Sequence, residues 1–258
     1  MKVYLHYFKI HIKSCMEYRT SFLLTLMGQF LVSFSLFLGT YFMFQRFHTV
    51  QGFTFSDCLL CFSIALIAFT LAECLFRGFD LFHHIISNGE FDRMLVRPRG
   101  LILQVLGSKI EFTRFGRLLQ AIVMLIYALF TCEINWTPYR ILVLCLMILS
   151  GVVVYASLFL LRSAICFYTT EGLEIFNILT DGSREFMRYP VSIYGENILK
   201  FCTYLVPFAL FQYYPLLYLL GQQEQPWYGL LPIISCFFAV PCYLCWRMGV
   251  RHYKSTGS

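Results

Sequence analysis

Residues Ser21–Gln45 read SFLLTLMGQFLVSFSLFLGTYFMFQ and contain no Asp, Glu, Lys or Arg. A helix of about 20 apolar residues crosses the hydrocarbon core of a bilayer, so this stretch predicts a transmembrane helix. Further uncharged runs follow along the chain: Cys58–Ala72, Leu118–Cys132, Ile141–Leu161, Phe201–Gln223 and Gln225–Trp246. The sequence therefore predicts an all-α polytopic membrane protein with six transmembrane helices.

The composition is typical of a protein that lies mostly in lipid. Of its 258 residues, 59% are hydrophobic and 13% are charged, and the mean hydropathy is +0.67. Soluble domains carry roughly 25% charged residues, which excludes that class. Six spans with short connections use nearly the whole length, so we expect a single membrane domain over residues 1–258.

The net charge of +6 indicates membrane topology rather than nucleic-acid binding. Lys and Arg concentrate in cytoplasmic loops near span ends. Here they precede the first run, follow the second and close the chain, which predicts cytoplasmic termini and no nucleic-acid partner. The residues concerned are Lys2, Lys9, Lys13, Arg19, Arg77, Arg93, Arg97, Arg99, Lys109, Arg114, Arg117, Arg247, Arg251 and Lys254.

Residues 1–20 have the pattern of an amphipathic helix that lies on the inner membrane surface. On a helical wheel, Lys9 and Lys13 share one side, whereas Phe8 and Ile12 share the other. Such a helix buries its apolar side in the headgroup region and places its lysines near anionic lipid. The alternative is a plain basic flank to the first span.

The loop over residues 77–100 reads RGFDLFHHIISNGEFDRMLVRPRG. We expect Asp80 to cap a short helix, the Ser87-Asn88-Gly89 turn to break it, and Glu90 to start a second piece that Pro98 ends. Short helices that are both apolar and charged suit docking on a cytoplasmic partner. A solvated charged loop is the alternative.

The segment Ser163–Arg188 is the most ambiguous part of the chain. As a helix it would be ~39 Å long, enough to cross the membrane. Ionisable groups at membrane depth usually face a protein interior or a watery cavity, so a fifth span here would line a pathway. Alternatively, the segment lies on the inner surface and 201–221 is the fifth span, or its charges simply pair with one another. The candidate lining residues are Glu171, Glu174, Asp181, Arg184 and Arg188.

The following segment, 189–221, is rich in proline and tyrosine. Proline breaks helices and tyrosine favours the membrane interface. Two short helices that dip into the outer leaflet would explain both features. The alternative is one ordinary span kinked at Pro207.

Chemical motifs are scarce. Cys58 and Cys61 have CxxC spacing, but their Leu- and Phe-rich surroundings lack the polar groups that lower a thiol pKa. The histidines do not have metal-ligand spacing, so no metal is expected. No GxxxxGK[ST] loop occurs, so the chain does not bind ATP phosphates by itself. We expect a protein that is not an enzyme and binds no cofactor.

The stretch from Ile86 to Pro98, ISNGEFDRMLVRP, resembles the inner-loop signature of type-2 ABC exporter permeases. More narrowly, it resembles the branch in which two different permease chains share one ATPase. The stretches Arg188–Tyr194, Leu205–Ala209 and Tyr213–Pro215 resemble the second signature of that branch. The resemblance covers essentially the whole chain.

This resemblance implies an ATP-driven export or multidrug-efflux permease of a bacterial plasma membrane. Its partners would be two copies of an ABC ATPase, which hold ATP and Mg, a second, different permease chain, and membrane lipid. The substrate would be a small molecule, a peptide or a lipid-like compound. A thiol oxidoreductase built on Cys58 and Cys61, or a non-transporting anchoring subunit, is the alternative.

The resemblance also implies residue roles. The surface helix would be the connecting helix, the 77–100 loop would couple to the ATPase, and 189–221 would form re-entrant outer helices. The ATPase-coupling residues would be Asp80, Gly89, Glu90, Phe91, Asp92, Leu95, Arg97 and Pro98. The outer gate would be Pro190, Tyr194, Pro207, Tyr214 and Pro215.

Overall fold

The computed structural model describes residues 2–169 and 174–254, and within these ranges the architecture is all-α. Eight helices occupy the described part of the first two thirds of the chain. They are α1 Lys2–Glu17, α2 Arg19–Phe47, α3 Phe55–Asp80, α4 Phe82–Ser87, α5 Glu90–Leu95, α6 Leu101–Ser108, α7 Phe115–Thr131 and α8 Pro138–Ile165. Among them, α4, α5 and α6 are short.

After α8 the helices become short. They are α9 Ile175–Asn177, α10 Ser183–Phe186, α11 Glu196–Tyr204, α12 Phe208–Phe211, α13 Tyr213–Leu219, α14 Leu231–Cys236 and α15 Ala239–His252. A π-helical turn over Ile178–Gly182 joins α9 to α10, and 3-10 turns cover Phe112–Arg114, Val191–Tyr194 and Pro226–Leu230.

Among the described residues, five helical stretches are long and apolar enough to cross a membrane, where the sequence predicts six. The predicted run Phe201–Gln223 does not form one of them, because the chain breaks at Pro207 and again at Gln212, between α11, α12 and α13. The chain is a multi-pass membrane protein. Its candidate spans are Arg19–Phe47, Phe55–Ser87, Phe112–Thr131, Pro138–Ile165 and Pro226–His252.

Helix α3 lies at the centre of the bundle, buried along most of its length, whereas α2 buries only a few side chains. Close helix packing depends on glycine. A methyl group on Gly151 of α8 would lie 2.7 Å from Ala68 of α3, and one on Gly249 of α15 would lie 3.0 Å from the carbonyl oxygen of Ala164. Helix α8 therefore packs closely against both α3 and α15.

Helix α8 and the last candidate span run in the same direction. Near the start of both, the Tyr139 hydroxyl donates to the Pro226 carbonyl at 2.8 Å. Near their other ends, Gly249 packs on Ala164. The chain must therefore return between Ile165 and Pro226. We call the end of the bundle near Asp80 and Arg162 the charged end, and the end near Tyr139 and Tyr218 the aromatic end.

The contacts of residues 174–190 trace this return. Asn177 accepts a hydrogen bond from Arg162 at the charged end, at 2.9 Å. The hydroxyl groups of Ser183 and Tyr155 are 3.4 Å apart near the middle of α8. The Tyr189 hydroxyl lies 3.3 Å from the Met43 sulfur, towards the aromatic end. The return is thus made in short helical pieces.

Helices α11–α13 then form a bend that points into the bundle. Phe211 reaches the middle of the bundle, where its ring lies next to Gly151. The chain comes back to the aromatic end at Tyr218, whose ring packs edge-on against Tyr139 with centroids 5.7 Å apart. Residues 201–221 therefore bend back on themselves rather than forming one straight span.

Helix α1 packs against the charged end. The Phe8 ring meets Phe112 edge-on at 4.8 Å, and His11 Nε2 is 3.2 Å from the carbonyl oxygen of Gly107. Lys9 and Lys13 are exposed on the opposite side. The helix thus occupies the stretch where the sequence predicts an amphipathic surface helix.

Candidate functional site

The loop between α3 and α6 folds into two short helices with a sharp reversal between them. Gly89 adopts a left-handed backbone conformation with φ 64°, which a residue without Cβ adopts at little cost. Helix α4 ends just before this turn and α5 begins just after it. The break that the sequence predicts at Ser87-Asn88-Gly89 therefore falls where the loop reverses.

Phe91 anchors this loop to the bundle. Its side chain is 0% exposed and its ring packs edge-on against Phe82, Phe167 and Tyr253, at centroid distances of 5.3, 5.2 and 4.9 Å. Phe167 follows α8 and Tyr253 follows α15. Helix α5 is thus held against the charged ends of two long helices.

The residues beyond Phe91 form an exposed basic tip, which we define as Arg93, Leu95, Val96, Arg97, Pro98 and Arg99. Val96 is 83% exposed at its centre. The Gln104 amide nitrogen donates to the carbonyls of Met94 and Arg99, both at 3.0 Å, and so fixes both ends of the tip. Glu90 and Asp92 are half-buried, and Glu90 lies beside Arg93 and Arg97 around one small surface pocket.

Asp80 does not cap a loop helix, contrary to the sequence-based expectation. It is the last residue of α3 and is buried. One carboxylate oxygen accepts from Arg162 at 2.7 Å and the other from Arg77. Because these two guanidinium groups satisfy the carboxylate, α3 continues through Asp80, and α4 starts after Leu81 without a side-chain cap.

The Asp80 pairs belong to a larger network inside the charged end. Glu73 contacts Arg77, Arg114 and Arg117 at 3.3, 3.0 and 2.9 Å. Arg117 also donates to Gln29 of α2 at 2.7 Å. The network joins α2, α3, α7 and α8. It consists of three carboxylates and four guanidinium groups: Glu73, Asp80, Glu111, Arg77, Arg114, Arg117 and Arg162.

Sequence reasoning assigned no role to Glu73, which is the centre of this network. The available signal was local: Glu73 follows an uncharged run and has Arg77 and Asp80 at i+4 and i+7, on the same side of a helix. Its long-range partners Arg114 and Arg117 carry no such pattern. Buried ion pairs of this kind fix one arrangement of helices, since an unpaired charge inside is costly.

The predicted pathway residues come together in part. Arg184 contacts Glu185 at 2.9 Å and Asp181 at 3.9 Å, and Arg188 also pairs with Glu185. The Arg184 guanidinium carbon lies 5.4 Å from the centroid of the Phe69 ring, near the middle of α3. Glu174 is exposed, and Glu171 lies outside the described residues.

The predicted outer-gate residues surround the bend of α11–α13. Pro190, Pro207 and Pro215 are buried. The Tyr194 hydroxyl donates to the Phe186 carbonyl at 2.8 Å. The Tyr214 hydroxyl is 3.3 Å from that of Thr203.

A buried amide, which sequence reasoning did not single out, fastens the bend. Gln212 is 0% exposed, and its Nε2 donates to the carbonyls of Cys61 and Met187 at 2.8 and 3.0 Å. It therefore ties the bend to α3 and to the end of the return segment.

The predicted thiol pair lies deep inside the protein. Cys58 and Cys61 are both 0% exposed, and the Cys61 thiol points to the Met187 carbonyl at 3.8 Å. This burial leaves no approach for a disulfide substrate. In the ranges 2–169 and 174–254, no group of three or more His, Cys, Asp or Glu is arranged to hold a metal ion.

The fold defines a helical membrane protein that crosses the membrane several times and carries an anchored loop at one end of its bundle. The model of one family, described as ABC-2 family transporter protein, matches residues 30–257. The chain belongs to this family and is a permease subunit of an ABC transporter, a class that works with an ABC ATPase. Comparisons with curated proteins and with solved structures give no match.

Proposed function

We propose that this chain is one of two different permease subunits of an ATP-driven exporter in a bacterial plasma membrane. Two ATPase subunits, which bind ATP and Mg²⁺ in separate chains, drive the transport cycle. The cargo, a small molecule, a peptide or a lipid-like compound, passes between the two permeases. The observation that carries the proposal is the exposed basic tip on a rigidly anchored loop, in a chain of the ABC-2 family.

The tip is the ATPase-docking surface. Val96 is 83% exposed and is surrounded by exposed arginines. Its apolar surface stabilises a complex only when a partner protein buries it. The buried ring of Phe91 contacts Phe167 after α8 and Tyr253 after α15. A displacement of the tip by the ATPase therefore moves the ends of α8 and α15. The coupling residues Gly89, Glu90, Asp92, Leu95, Arg97 and Pro98 form or flank this surface.

The transmembrane topology has six crossings with both termini in the cytoplasm. The parallel course of α8 and the last candidate span supports a crossing by 174–190, which is too short and too interrupted to count as a standard span. Residues 189–221 then form the re-entrant outer helices. Their irregular backbone is buried against protein, which is the condition for such a backbone at membrane depth. The basic tip lies on the cytoplasmic side, in line with the positive-inside rule.

A second permease covers the face of the 174–188 segment. The Asp181 and Glu185 side chains are 56% and 39% exposed, although neighbouring Arg184 sits at the level of Phe69 in the middle of α3. Charged groups at that depth do not face lipid. Glu174, Asp181, Arg184 and Arg188 therefore border a path between the two subunits.

Charge reversal on α5 tests the coupling role. Glu90→Lys and Asp92→Lys reverse charge at two half-buried positions of the helix and leave the apolar spans unchanged, so we expect normal insertion and uncoupled ATP hydrolysis. The measurement is ATP-dependent uptake of a cationic dye, a labelled peptide and a labelled phospholipid by inside-out vesicles. Glu224→Lys, an exposed change at the aromatic end, is the control. Unchanged uptake in both α5 variants would contradict the assignment.

A further inference from the structure

A line of side-chain contacts connects the loop to the return segment. Asp80 is separated from α4 by one residue, Leu81. Its carboxylate accepts from Arg162 Nη1 at 2.7 Å. The same nitrogen donates to the side-chain oxygen of Asn177 at 2.9 Å. A displacement of α4 therefore reaches Asn177 through a single shared guanidinium group.

The chain just beyond Asn177 is a π-helical turn, Ile178–Gly182. π turns contain one more residue than an α turn and are frequent at functional sites. Two hydroxyl groups donate hydrogen bonds to backbone carbonyls in this turn and just before it. Thr180 donates to the Phe176 carbonyl at 3.0 Å, and Ser183 donates to the Thr180 carbonyl at 2.6 Å.

The turn is held at both of its ends by α8. Asn177 is bound to Arg162 on one side, and the Ser183 hydroxyl lies 3.4 Å from that of Tyr155 on the other. A change from π to α geometry reduces the number of residues in the turn by one, and the reverse change increases it by one. This rotates everything beyond it by ~100° relative to everything before it. The charged residues Arg184, Glu185 and Arg188 lie directly beyond.

We propose that Arg162 is a positioning residue that transmits loop movement from Asp80 to Asn177, and that the π turn is the two-state element it drives. When the loop moves, the turn changes between π and α geometry. This change rotates the charged side chains of residues 183–188 to a different direction. This inference rests on the proposed function, because it assumes that an ATPase moves the loop. Interfaces and turns with two discrete packings convert small shifts into such switches.

The first test uses Asn177→Leu in the complete complex with its ATPase and partner permease. Leucine is close in size to asparagine and accepts no hydrogen bond, and position 177 is exposed, so folding is spared. The measurement is amide hydrogen exchange of 174–221 with and without ATP, Mg²⁺ and vanadate. Loss of one hydrogen bond to a charged donor weakens the link by about tenfold or more.

We expect ATP and vanadate to change the exchange of 174–221 in the wild type and in the control Asn197→Leu, an exposed substitution on α11. In Asn177→Leu the change disappears while ATP hydrolysis continues. A wild-type-like response of Asn177→Leu would overturn the inference and leave the proposed function intact. If the wild-type complex itself shows no response, the proposed function and the inference both fail.

A second variant acts on the turn itself. A methyl group on Gly182 would lie 3.5 Å from the Asn177 carbonyl oxygen, which is ordinary contact, so Gly182→Ala fits. Alanine restricts the backbone that has to change register, so we expect a smaller ATP-dependent change in exchange. Gly39→Ala in α2, where nothing lies within 4 Å, is the matched control. An undiminished response of Gly182→Ala would contradict the switch.

Discussion

At the scale of single residues, the charged end is organised around Glu73. This carboxylate is 3% exposed, and it contacts three arginines from α3, from the 3-10 turn and from α7. Each guanidinium group would be costly inside the bundle without a counter-charge. Glu73 therefore determines how α3 and α7 approach each other.

We predict that Glu73→Gln lowers the free energy of unfolding by about 3–5 kcal/mol, because it removes one partner of a buried charge network. The measurement is the unfolding transition of the purified chain in detergent. Glu196→Gln is the control, since the Glu196–Lys200 pair is exposed and worth at most about 1 kcal/mol. Equal effects of the two substitutions would rule out a central role for Glu73.

A second residue-scale prediction concerns Gln212. Gln212→Leu removes both hydrogen bonds that fasten the bend, so we expect the local opening free energy of 205–213 to fall by about 1–3 kcal/mol. Hydrogen exchange of this segment measures the effect. The exposed substitution Gln222→Leu should leave it unchanged. Unaltered protection in Gln212→Leu would show that the amide does not hold the bend.

The sequence could not reveal these partners, although it marked some of the residues. Arg117 and Glu73 are 44 positions apart, and Arg162 and Asp80 are 82 apart. No local pattern connects such pairs, which form only when the helices pack. The loop residues were easier to recognise, because Gly89 and Phe91 lie within one short motif.

At the scale of elements, α3 and α6 approach each other closely at Gly78. A methyl group on Gly78 would lie 1.9 Å from the Val105 carbonyl oxygen and 2.7 Å from the Ser108 hydroxyl. Glycine is therefore required where α6 returns from the loop. This contact, together with the ring of Phe91, gives the basic tip a rigid base.

We predict that Gly78→Ala forces α3 and α6 apart and costs about 1–3 kcal/mol of stability, the usual range for overpacking. Thermal unfolding in detergent measures the loss. Gly28→Ala in α2 meets nothing within 4 Å and should be neutral or stabilising by up to about 1 kcal/mol, because alanine is the better helix former. A neutral Gly78→Ala would mean that the α3–α6 contact is not a constraint.

Hydropathy identified the long elements and failed at the short ones. Uncharged runs predicted α2, α3, α7, α8 and the last candidate span, since lipid requires about 20 apolar residues per helix. Hydropathy also marks the run 201–223, whereas its prolines and tyrosines favoured re-entrant helices there, and the structure breaks the run at Pro207 and Gln212. The π turn in 178–182 depends on contacts with α8, which a single-chain pattern does not contain.

At the scale of the whole molecule, the two ends of the bundle differ in chemistry. The charged end holds the buried ion network and the exposed basic tip, and the aromatic end holds the proline-rich bend. The 174–190 segment connects the two ends and touches Arg162 at one end and Met43 near the other. This arrangement is consistent with the proposed coupling, in which the ATPase displaces the charged end and the aromatic end opens the pathway.

The central claim is that the chain works only in a complex with an ATPase and a second permease. The most direct measurement is affinity purification of the tagged chain in mild detergent, with mass spectrometry of the proteins that accompany it. We predict recovery of a P-loop ATPase and a second, different multi-pass permease. Recovery of the chain alone, under conditions in which another membrane complex from the same cells stays intact, would contradict the account.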